Sequence, residues 1–222
     1  MAVLAFHPDV AVAELGPANP IGFVGHPVDA RFTQACALSG PLTPVDIAKS
    51  IRIAGLRCIV GGVHAISAWC GDPRGDHRIE LIVADPVRCA RALLNAHRLL
   101  RSPKPLKVAR AERVQLESRS NVQTIDLIGF EGHPILQQAA DRAHFVRTTV
   151  PIVPMLSLEG TLLWTWWKSR DRDRSSDDRK ECQAGFRTLT PLVGPDQTAK
   201  LDRVLATLPP PQADAFRSDL HG

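Results

Sequence analysis

Alternating polar side chains at the start of one predicted strand are the first candidates for chemistry. Asp76, Arg78 and Glu80 occupy every second position before the apolar run LIVAD. Side chains at i and i+2 of a strand point the same way, so the three share one face. A fourth candidate, Asp126, lies inside the apolar segment TIDLIGF, which is an expensive place for an unpaired charge. Carboxylates on one face of adjacent strands are the ligands that two-metal phosphoryl transfer requires.

Two glycines, Gly61 and Gly62, stand between a short apolar strand and a predicted helix. A glycine pair lets the backbone come close to a ligand and presents free amides at a helix N-terminus, which suits a triphosphate. Strand-to-helix turns also use glycine for packing. The pair therefore permits phosphate binding without requiring it.

Other candidate side chains have simpler explanations. His64 and His77 lack a partner at metal-ligand spacing, which favours surface or hydrogen-bonded histidines. Trp164, Trp166 and Trp167 adjoin a run of alternating Arg and Asp, and aromatics interleaved with Arg can stack on bases. Trp164 and Trp167 are three residues apart, however, and this helical spacing favours packing in the core.

Helices and strands in mixed order are needed to position these residues. LTPVDIAKSIRIAGLR has an N-cap at Thr43, Pro44 at the first helical position and Asp46 in a capping-box pattern, which predicts a helix. Further helices are predicted in VHAISAWCG and PVRCARALLNAHRLLR, and strands in RCIV, HRIELIVAD, RVQLES, NVQTIDLIGF and TTVPIVPM. EGHPILQQAADRAHFV predicts a turn and a helix. The expected fold class is α/β, with one compact core and without the strict alternation of a doubly wound sheet.

Changes in composition divide the chain into four parts. Residues 1–40 are rich in Pro, Gly and Ala and predict an irregular N-terminal arm. Residues 41–155 predict the α/β core, and residues 156–208 predict a C-terminal helical portion. Residues 209–222 predict a flexible tail.

The composition is that of an ordinary soluble protein. The 222 residues are 44% hydrophobic and 23% charged, with 27 Lys and Arg against 23 Asp and Glu. Arg supplies 21 of the basic residues, which permits a polyanionic partner but also fits the drift toward Arg in GC-rich bacterial genomes. Five scattered cysteines without a CxxC pair indicate free thiols in a reducing cytoplasm. Neither a signal peptide nor a membrane-spanning run is recognisable, so we expect a cytoplasmic protein without membrane contact.

Three segments, taken in order, resemble a known superfamily. IVGGVHAISAWCGDPRGDHRIELIV, TIDLIGF and LEGTLLWTWWKSRDRDRSSD look like the nucleotidyltransferase superfamily, and most of all its toxin-type enzymes of the AbiEii kind. The resemblance covers residues 43–190 in outline. It implies a nucleotidyltransferase-like core, in which a small mixed β-sheet is flanked by helices, with further helices at the C-terminus.

The resemblance also implies roles for individual residues. It assigns Glu80 and Asp126 to catalysis and to the binding of Mg²⁺. The nucleotide-binding residues that it implies are Gly61, Gly62, Arg74, Lys168 and Arg170. Mg²⁺ is the cofactor implied for an active enzyme, and a nucleoside triphosphate is the implied substrate.

Arg78 departs from the family pattern at the decisive position. The family has Asp-x-Asp where this chain has Arg78-x-Glu80, which places a cation where a divalent ion would sit. Two like charges ~4 Å apart repel by about 4 kcal/mol at an effective dielectric constant of about 20, and the metal is doubly charged. Asp76 is a poor substitute, because the strand separates it from Glu80 by about 13 Å unless a bulge shortens the path. We therefore expect Arg78 to pair with Glu80 or Asp126 in place of a metal.

Three functions remain open at this point. The first is a catalytically degenerate nucleotidyltransferase-like protein that binds a nucleotide, an RNA such as tRNA, or a protein partner such as an antitoxin. The second is an active Mg²⁺-dependent enzyme of the toxin–antitoxin type, which transfers a nucleotide to tRNA or protein. The third is a structural or assembly protein on the same fold, because fold does not determine function. The positive charge of Arg78 favours the first.

Overall fold

The computed structural model describes residues 27–72, 77–104, 106, 112–120, 122–147, 152–172 and 174–221. Two of the candidate residues, Arg74 and Asp76, lie outside the described residues, as do the first 26 residues of the predicted N-terminal arm.

One mixed sheet of seven strands forms the centre of the described chain. Its strands are β1 (Cys58–Val60), β2 (Arg78–Val83), β3 (Leu100–Arg101), β4 (Arg113–Ser118), β5 (Thr124–Gly129), β6 (Ala143–Arg147) and β7 (Ile152–Leu156). The spatial order is β3-β4-β5-β2-β1-β7-β6. The pairs β2–β5 and β1–β7 are parallel and the other four are antiparallel. The predicted α/β class with a mixed sheet is thereby confirmed.

Nine α-helices accompany the sheet in the described residues. They are α1 (Pro27–Ala37), α2 (Pro44–Ile53), α3 (Gly62–Cys70), α4 (Pro86–Ala96), α5 (Pro134–Ala140), α6 (Leu158–Arg170), α7 (Ser176–Leu189), α8 (Pro195–Leu205) and α9 (Pro210–His221). A 3-10 helix, Thr190–Leu192, follows α7. In the part of the chain that is described, none of the helices combines the length and the apolar character needed to cross a bilayer.

The start of α2 shows how local sequence determines these elements. The Thr43 side chain accepts a hydrogen bond from the backbone amide of Asp46, and the Asp46 carboxylate accepts one from the backbone amide of Thr43. This reciprocal pair satisfies two amides that would otherwise lack partners in the first turn. The predicted capping box, with Pro44 at the first helical position, is confirmed.

Two apolar clusters stabilise the fold. The larger lies on the sheet and joins it to α1 through α4, and Trp164 of α6 is fully buried within it. The smaller joins α6, α7, α8 and α9 and contains Trp166, Phe186 and Phe216. The rings of Trp166 and Phe186 both meet the ring of Phe216 edge to face, with centroids 5.4 Å and 5.7 Å away. The helices of the C-terminal portion therefore have a core of their own.

Both chain ends contain a helix where irregular structure was predicted. Helix α1 lies in the predicted irregular arm and buries Phe32, Ala35 and Cys36, while α9 replaces the predicted flexible tail and buries Ala213 and Phe216. The arm was predicted to be irregular from its content of Pro, Gly and Ala, and the tail was predicted to be flexible as a chain terminus. Each of these two helices instead begins at a proline, and the first turn tolerates proline because its amide has no partner within the helix.

A strand was also missed near residue 145. The segment EGHPILQQAADRAHFV was predicted to form a turn and a helix, but only Pro134–Ala140 is helical and Ala143–Arg147 is strand β6. β6 pairs with β7 alone in the described sheet, at its edge. Because β6 is only five residues long and only Val146 in it is buried, its alternation was too weak to predict.

The packing of α9 can be tested by removing its buried aromatic ring. Phe216→Ala should lower the free energy of unfolding by about 3–5 kcal/mol, because a fully buried ring leaves a cavity. Phe145→Ala is the matched control, since 64% of the Phe145 side chain is exposed, and it should cost under about 1 kcal/mol. Urea denaturation measures both. Equal losses in the two variants would contradict an integral α9.

Candidate functional site

Two buried carboxylates lie side by side on the central strands. β2 and β5 are parallel, and their register places Glu80 directly opposite Asp126. Glu80 is 3% exposed and Asp126 is fully buried. The structure therefore brings together the two residues that the sequence predicted as catalytic and metal-binding.

Arg78 makes ion pairs with both carboxylates. Its Nε lies 2.7 Å from Asp126 Oδ2 and 3.6 Å from Glu80 Oε1. Its Nη1 reaches across to α7 and lies 2.9 Å from Asp178 Oδ1. The ion pair that the sequence predicted for Arg78 is confirmed, and one guanidinium connects β2, β5 and α7.

Two further cations bind the pair directly. Lys168 Nζ donates to Glu80 Oε1, and Trp164 Nε1 donates to Glu80 Oε2 at 3.4 Å. Arg113 Nη2 donates to Asp126 Oδ2 at 2.9 Å. Lys168 was expected to face a nucleotide, and here it binds a carboxylate of the protein itself.

Sequence reasoning missed Arg113 and Asp178. Arg113 could have been found from β4, because Gln115 is paired with Asp126 and residues two apart on a strand share a face. Asp178 stands in the first turn of α7, 100 residues from Arg78. No local pattern in the sequence indicates such a contact.

Nearby cations keep Glu80 and Asp178 ionised. Burial alone would raise the pKa of Glu80, but Lys168 and then Arg78 outweigh burial and lower it to about 2. Burial likewise acts to raise the pKa of Asp178, and the charge of Arg78 lowers it overall. The pKa of Arg78 is raised, because the attraction of Asp126 and Glu80 exceeds the effect of burial. At neutral pH Glu80 and Asp178 are therefore ionised and Arg78 is protonated.

The glycine turn makes room for Glu80. Gly62 has φ +63°, and a Cβ added there would lie 2.5 Å from Glu80 Oε2. The Gly61 amide donates to the Glu80 carbonyl at 3.0 Å. The carboxylate thus lies at the N-terminus of α3, where the helix dipole favours an anion. The position predicted to hold a phosphate is taken by a side chain of the protein.

The residues at this position do not fit Mg²⁺. A divalent ion needs several oxygen ligands around it, and the space between the two carboxylates holds the guanidinium of Arg78. Asp126 Oδ1 is buried and accepts no hydrogen bond from any described residue, but one oxygen is too few to hold the ion. Across the described ranges there is no group of three or more His, Cys, Asp or Glu that could bind a metal.

A small cavity borders the network. Its volume is about 30 Å³, and its wall includes Glu80 and Lys168 on one side and Asp178, Glu181 and Cys182 of α7 on the other. One water needs about 10–15 Å³ by this measure, so the cavity has room for about two waters. The cavity is too small to enclose a nucleotide.

Arg170 does not belong to the site. Its guanidinium pairs with Asp219 of α9 and lies over the ring of Trp166, 4.7 Å from the ring centroid. Successive residues of a helix are about 100° apart, so Lys168 and Arg170 point to nearly opposite sides of α6. The structure therefore places the predicted nucleotide-binding Arg170 against the C-terminal helix.

His64 is a buried histidine beside the network. It is fully buried, and its Nε2 lies 2.6 Å from Ser39 Oγ. Nδ1 has no hydrogen-bond partner among the described residues. Burial lowers the pKa of His64 from 6.5 to about 4, although the charge of Glu80 opposes the shift. The expected hydrogen-bonded histidine is present, and its ring is neutral at pH 7.

The contact between Gly62 and Glu80 can be tested by adding one methyl group. Gly62→Ala should lower the free energy of unfolding by about 3 kcal/mol, from backbone strain together with the displacement of the Glu80 carboxylate. Gly55→Ala is the control, because Gly55 has a similar φ of +71° and nothing within 4 Å, and it should cost about 1 kcal/mol. If urea denaturation gives equal losses of unfolding free energy for the two variants, the Glu80 carboxylate does not require glycine at position 62.

The buried His64 predicts a dependence of stability on pH. The unfolded chain takes up a proton below pH 6.5 while folded His64 stays neutral down to about pH 4. Stability should therefore fall as the pH is lowered through this window, by up to about 3 kcal/mol. His64→Gln should remove this part of the loss, whereas the exposed His221→Gln should leave it unchanged. Urea denaturation at several pH values measures this dependence. Identical profiles of stability against pH for the wild type and His64→Gln would contradict the assignment of the loss to His64.

Two solved structures are similar to the chain. One is an antigenic nucleotidyltransferase-like protein from Paracoccidioides brasiliensis, with 17% identity and a TM-score of 0.48. The other is the antibiotic-resistance factor ANT(2'')-Ia, with 16% identity and a TM-score of 0.49. Each similarity covers 85% of this chain and 93% of the other. No protein-family model matches the sequence, and no curated protein matches it significantly.

Proposed function

We propose that the chain is a catalytically inactive protein with a nucleotidyltransferase-like core, which acts by binding rather than by nucleotide transfer. The observation that carries this proposal is the pairing of Arg78 with Asp126 and Glu80, at 2.7 Å and 3.6 Å. These are the carboxylates that would have to hold the metal in an active enzyme. The guanidinium of Arg78 balances the charge of the two carboxylates. Unlike a metal ion, it has no open coordination position for a substrate oxygen.

The energetic cost of restoring a metal site supports the same conclusion. Mg²⁺ could enter only if Arg78 left both carboxylates and Asp178 at once. Breaking a buried ion pair by removing one partner costs about 3–5 kcal/mol. The displaced guanidinium would also remain close enough to repel the ion. The free energy of metal binding would have to exceed both the cost of breaking the ion pairs and the repulsion by the displaced guanidinium before any reaction began.

The charge around the cavity argues against a nucleotide as the bound ligand. Asp178 and Glu181 form part of its wall, and Lys168 and Arg78 are already paired with carboxylates. A triphosphate entering from the α7 side would meet two carboxylates and no free cation among the lining residues. Of the three kinds of partner, RNA and protein are therefore favoured over a nucleotide, and either would bind outside the cavity.

Membership of a toxin–antitoxin pair and a cytoplasmic location are parts of this proposal. The sequence resemblance supports the first. The second is supported by the cysteines, since all five are free and four of them are buried. Thiols persist in this form in a reducing compartment.

Replacing the guanidinium by a carboxylate tests the proposal. Arg78→Asp combined with Glu80→Asp should bind Mn²⁺ at least tenfold more tightly than the wild type, because it places a second carboxylate beside Asp126 and removes a positive charge. The control is Arg78→Asn with Glu80→Asp, which removes the cation without adding the second carboxylate. Calorimetric titration with MnCl₂ measures the affinities.

The same proteins can be assayed for nucleotide transfer with labelled nucleoside triphosphates, Mg²⁺ and total RNA. The wild type should label no acceptor. Stoichiometric Mn²⁺ binding by the wild type, abolished by Asp126→Asn, would overturn the proposal. Mg²⁺-dependent labelling by the wild type would overturn it equally and would establish the active enzyme instead.

A further inference from the structure

The positive charge of the chain is concentrated in one segment. Residues 86–122 contain nine Lys and Arg and two Asp and Glu, a formal charge of +7, although the whole chain carries +4. The remaining 185 residues therefore contain 18 basic and 21 acidic residues. A general drift toward Arg would enrich the whole chain, so it does not explain an excess confined to this segment.

The fold gathers the described residues of this segment at one side of the sheet. It runs from α4 through β3, which forms the edge of the described sheet, to β4 and the turn that leads into β5. The Arg119 amide donates to the Leu99 carbonyl at 2.7 Å, which brings the turn after β4 beside the chain that follows α4. Arg88 and Arg91 are three residues apart on α4 and share a face. We call the cations of this side the α4–β3 basic face, comprising Arg88, Arg91, Arg98, Lys104 and Arg119.

All five cations of the α4–β3 basic face are exposed. Within the described part of the chain none of them lies in an ion pair, whereas neighbouring Arg101 pairs with Glu117 at 3.3 Å. Arg88 and the last residue of α4, Ala96, are eight positions apart, which is about 12 Å along the helix axis. Double-stranded nucleic acid carries one negative charge per ~1.7 Å of its axis, so a duplex presents several phosphates over this length.

We propose that the α4–β3 basic face binds the phosphate backbone of a nucleic acid. Four of its five cations are Arg, whose planar fork matches the oxygens of a phosphate. Residues 86–122 contain no Phe, Trp or Tyr, so the face lacks the aromatic platforms on which unpaired bases stack. Binding is therefore through backbone charge, with little dependence on base sequence. The face is separate from the Arg78 site, and the inference stands whether or not that site is inactive.

Titration of labelled duplexes against salt tests the proposal. The probes are a 20-base-pair RNA duplex, a DNA duplex of the same sequence, an RNA duplex of unrelated sequence, and vesicles containing phosphatidylserine. Wild-type protein should bind the duplexes with little difference between sequences, and log Kd should rise steeply with log salt. Comparison of the RNA and DNA duplexes shows which nucleic acid is preferred.

A triple variant identifies the surface. Arg91→Gln, Arg98→Gln and Arg119→Gln together should weaken binding more than tenfold at low salt and reduce the salt slope by up to about 3, roughly one for each lost phosphate contact. The control removes the same charge from exposed arginines elsewhere, through Arg52→Gln, Arg187→Gln and Arg203→Gln, and should keep the wild-type slope. Both variants should retain the wild-type Tm, since the six side chains are exposed.

Three outcomes would overturn the inference. They are no binding of any duplex at low salt, equal losses in the two triple variants, and binding to the anionic vesicles without binding to nucleic acid. None of these outcomes bears on metal binding at Arg78, so the two proposals can fail separately.

Discussion

Two carboxylates buried on adjacent strands must be neutralised, and the centre of the fold depends on this requirement. β2 and β5 run parallel, and their register places Glu80 next to Asp126. Glu80 is 3% exposed and Asp126 is fully buried, and an uncompensated pair would cost several kcal/mol for each charge. The compensating cations are Arg78 of β2, Arg113 of β4 and Lys168 of α6. The positions of three elements are therefore tied to one electrostatic condition.

Much of the fold can be predicted from short-range sequence patterns, and the errors of that prediction share one cause. The caps and apolar spacing predicted α2, α3 and α4, and apolar runs predicted the central strands. Helices α1 and α9 were missed, and they begin at Pro27 and Pro210 in segments predicted to be irregular or flexible. Whether a proline starts or stops a helix depends on whether the following apolar residues find a core. For Phe216 that core is supplied by Trp166, 50 residues earlier in the chain, and no local pattern contains it.

Strand periodicity allowed part of the candidate site to be predicted. Periodicity placed Glu80 on the polar face of its strand, and the charge of Arg78 was enough to predict an ion pair there. The partner on α7 could not be predicted, because Asp178 reaches the site through the packing of two helices. Arg170 was assigned to the site, together with Lys168, from the superfamily resemblance of the segment that contains both. On a helix, neighbours in sequence often face different parts of the molecule.

Helix α6 belongs to both apolar clusters of the protein. Trp164 is buried in the cluster on the sheet and Trp166 in the cluster of C-terminal helices, while Lys168 on the same helix binds Glu80. If either cluster loses its order, one face of α6 becomes exposed, and the other cluster is weakened. The sheet and the C-terminal helices should therefore unfold together, as one cooperative unit, although their hydrophobic cores are separate.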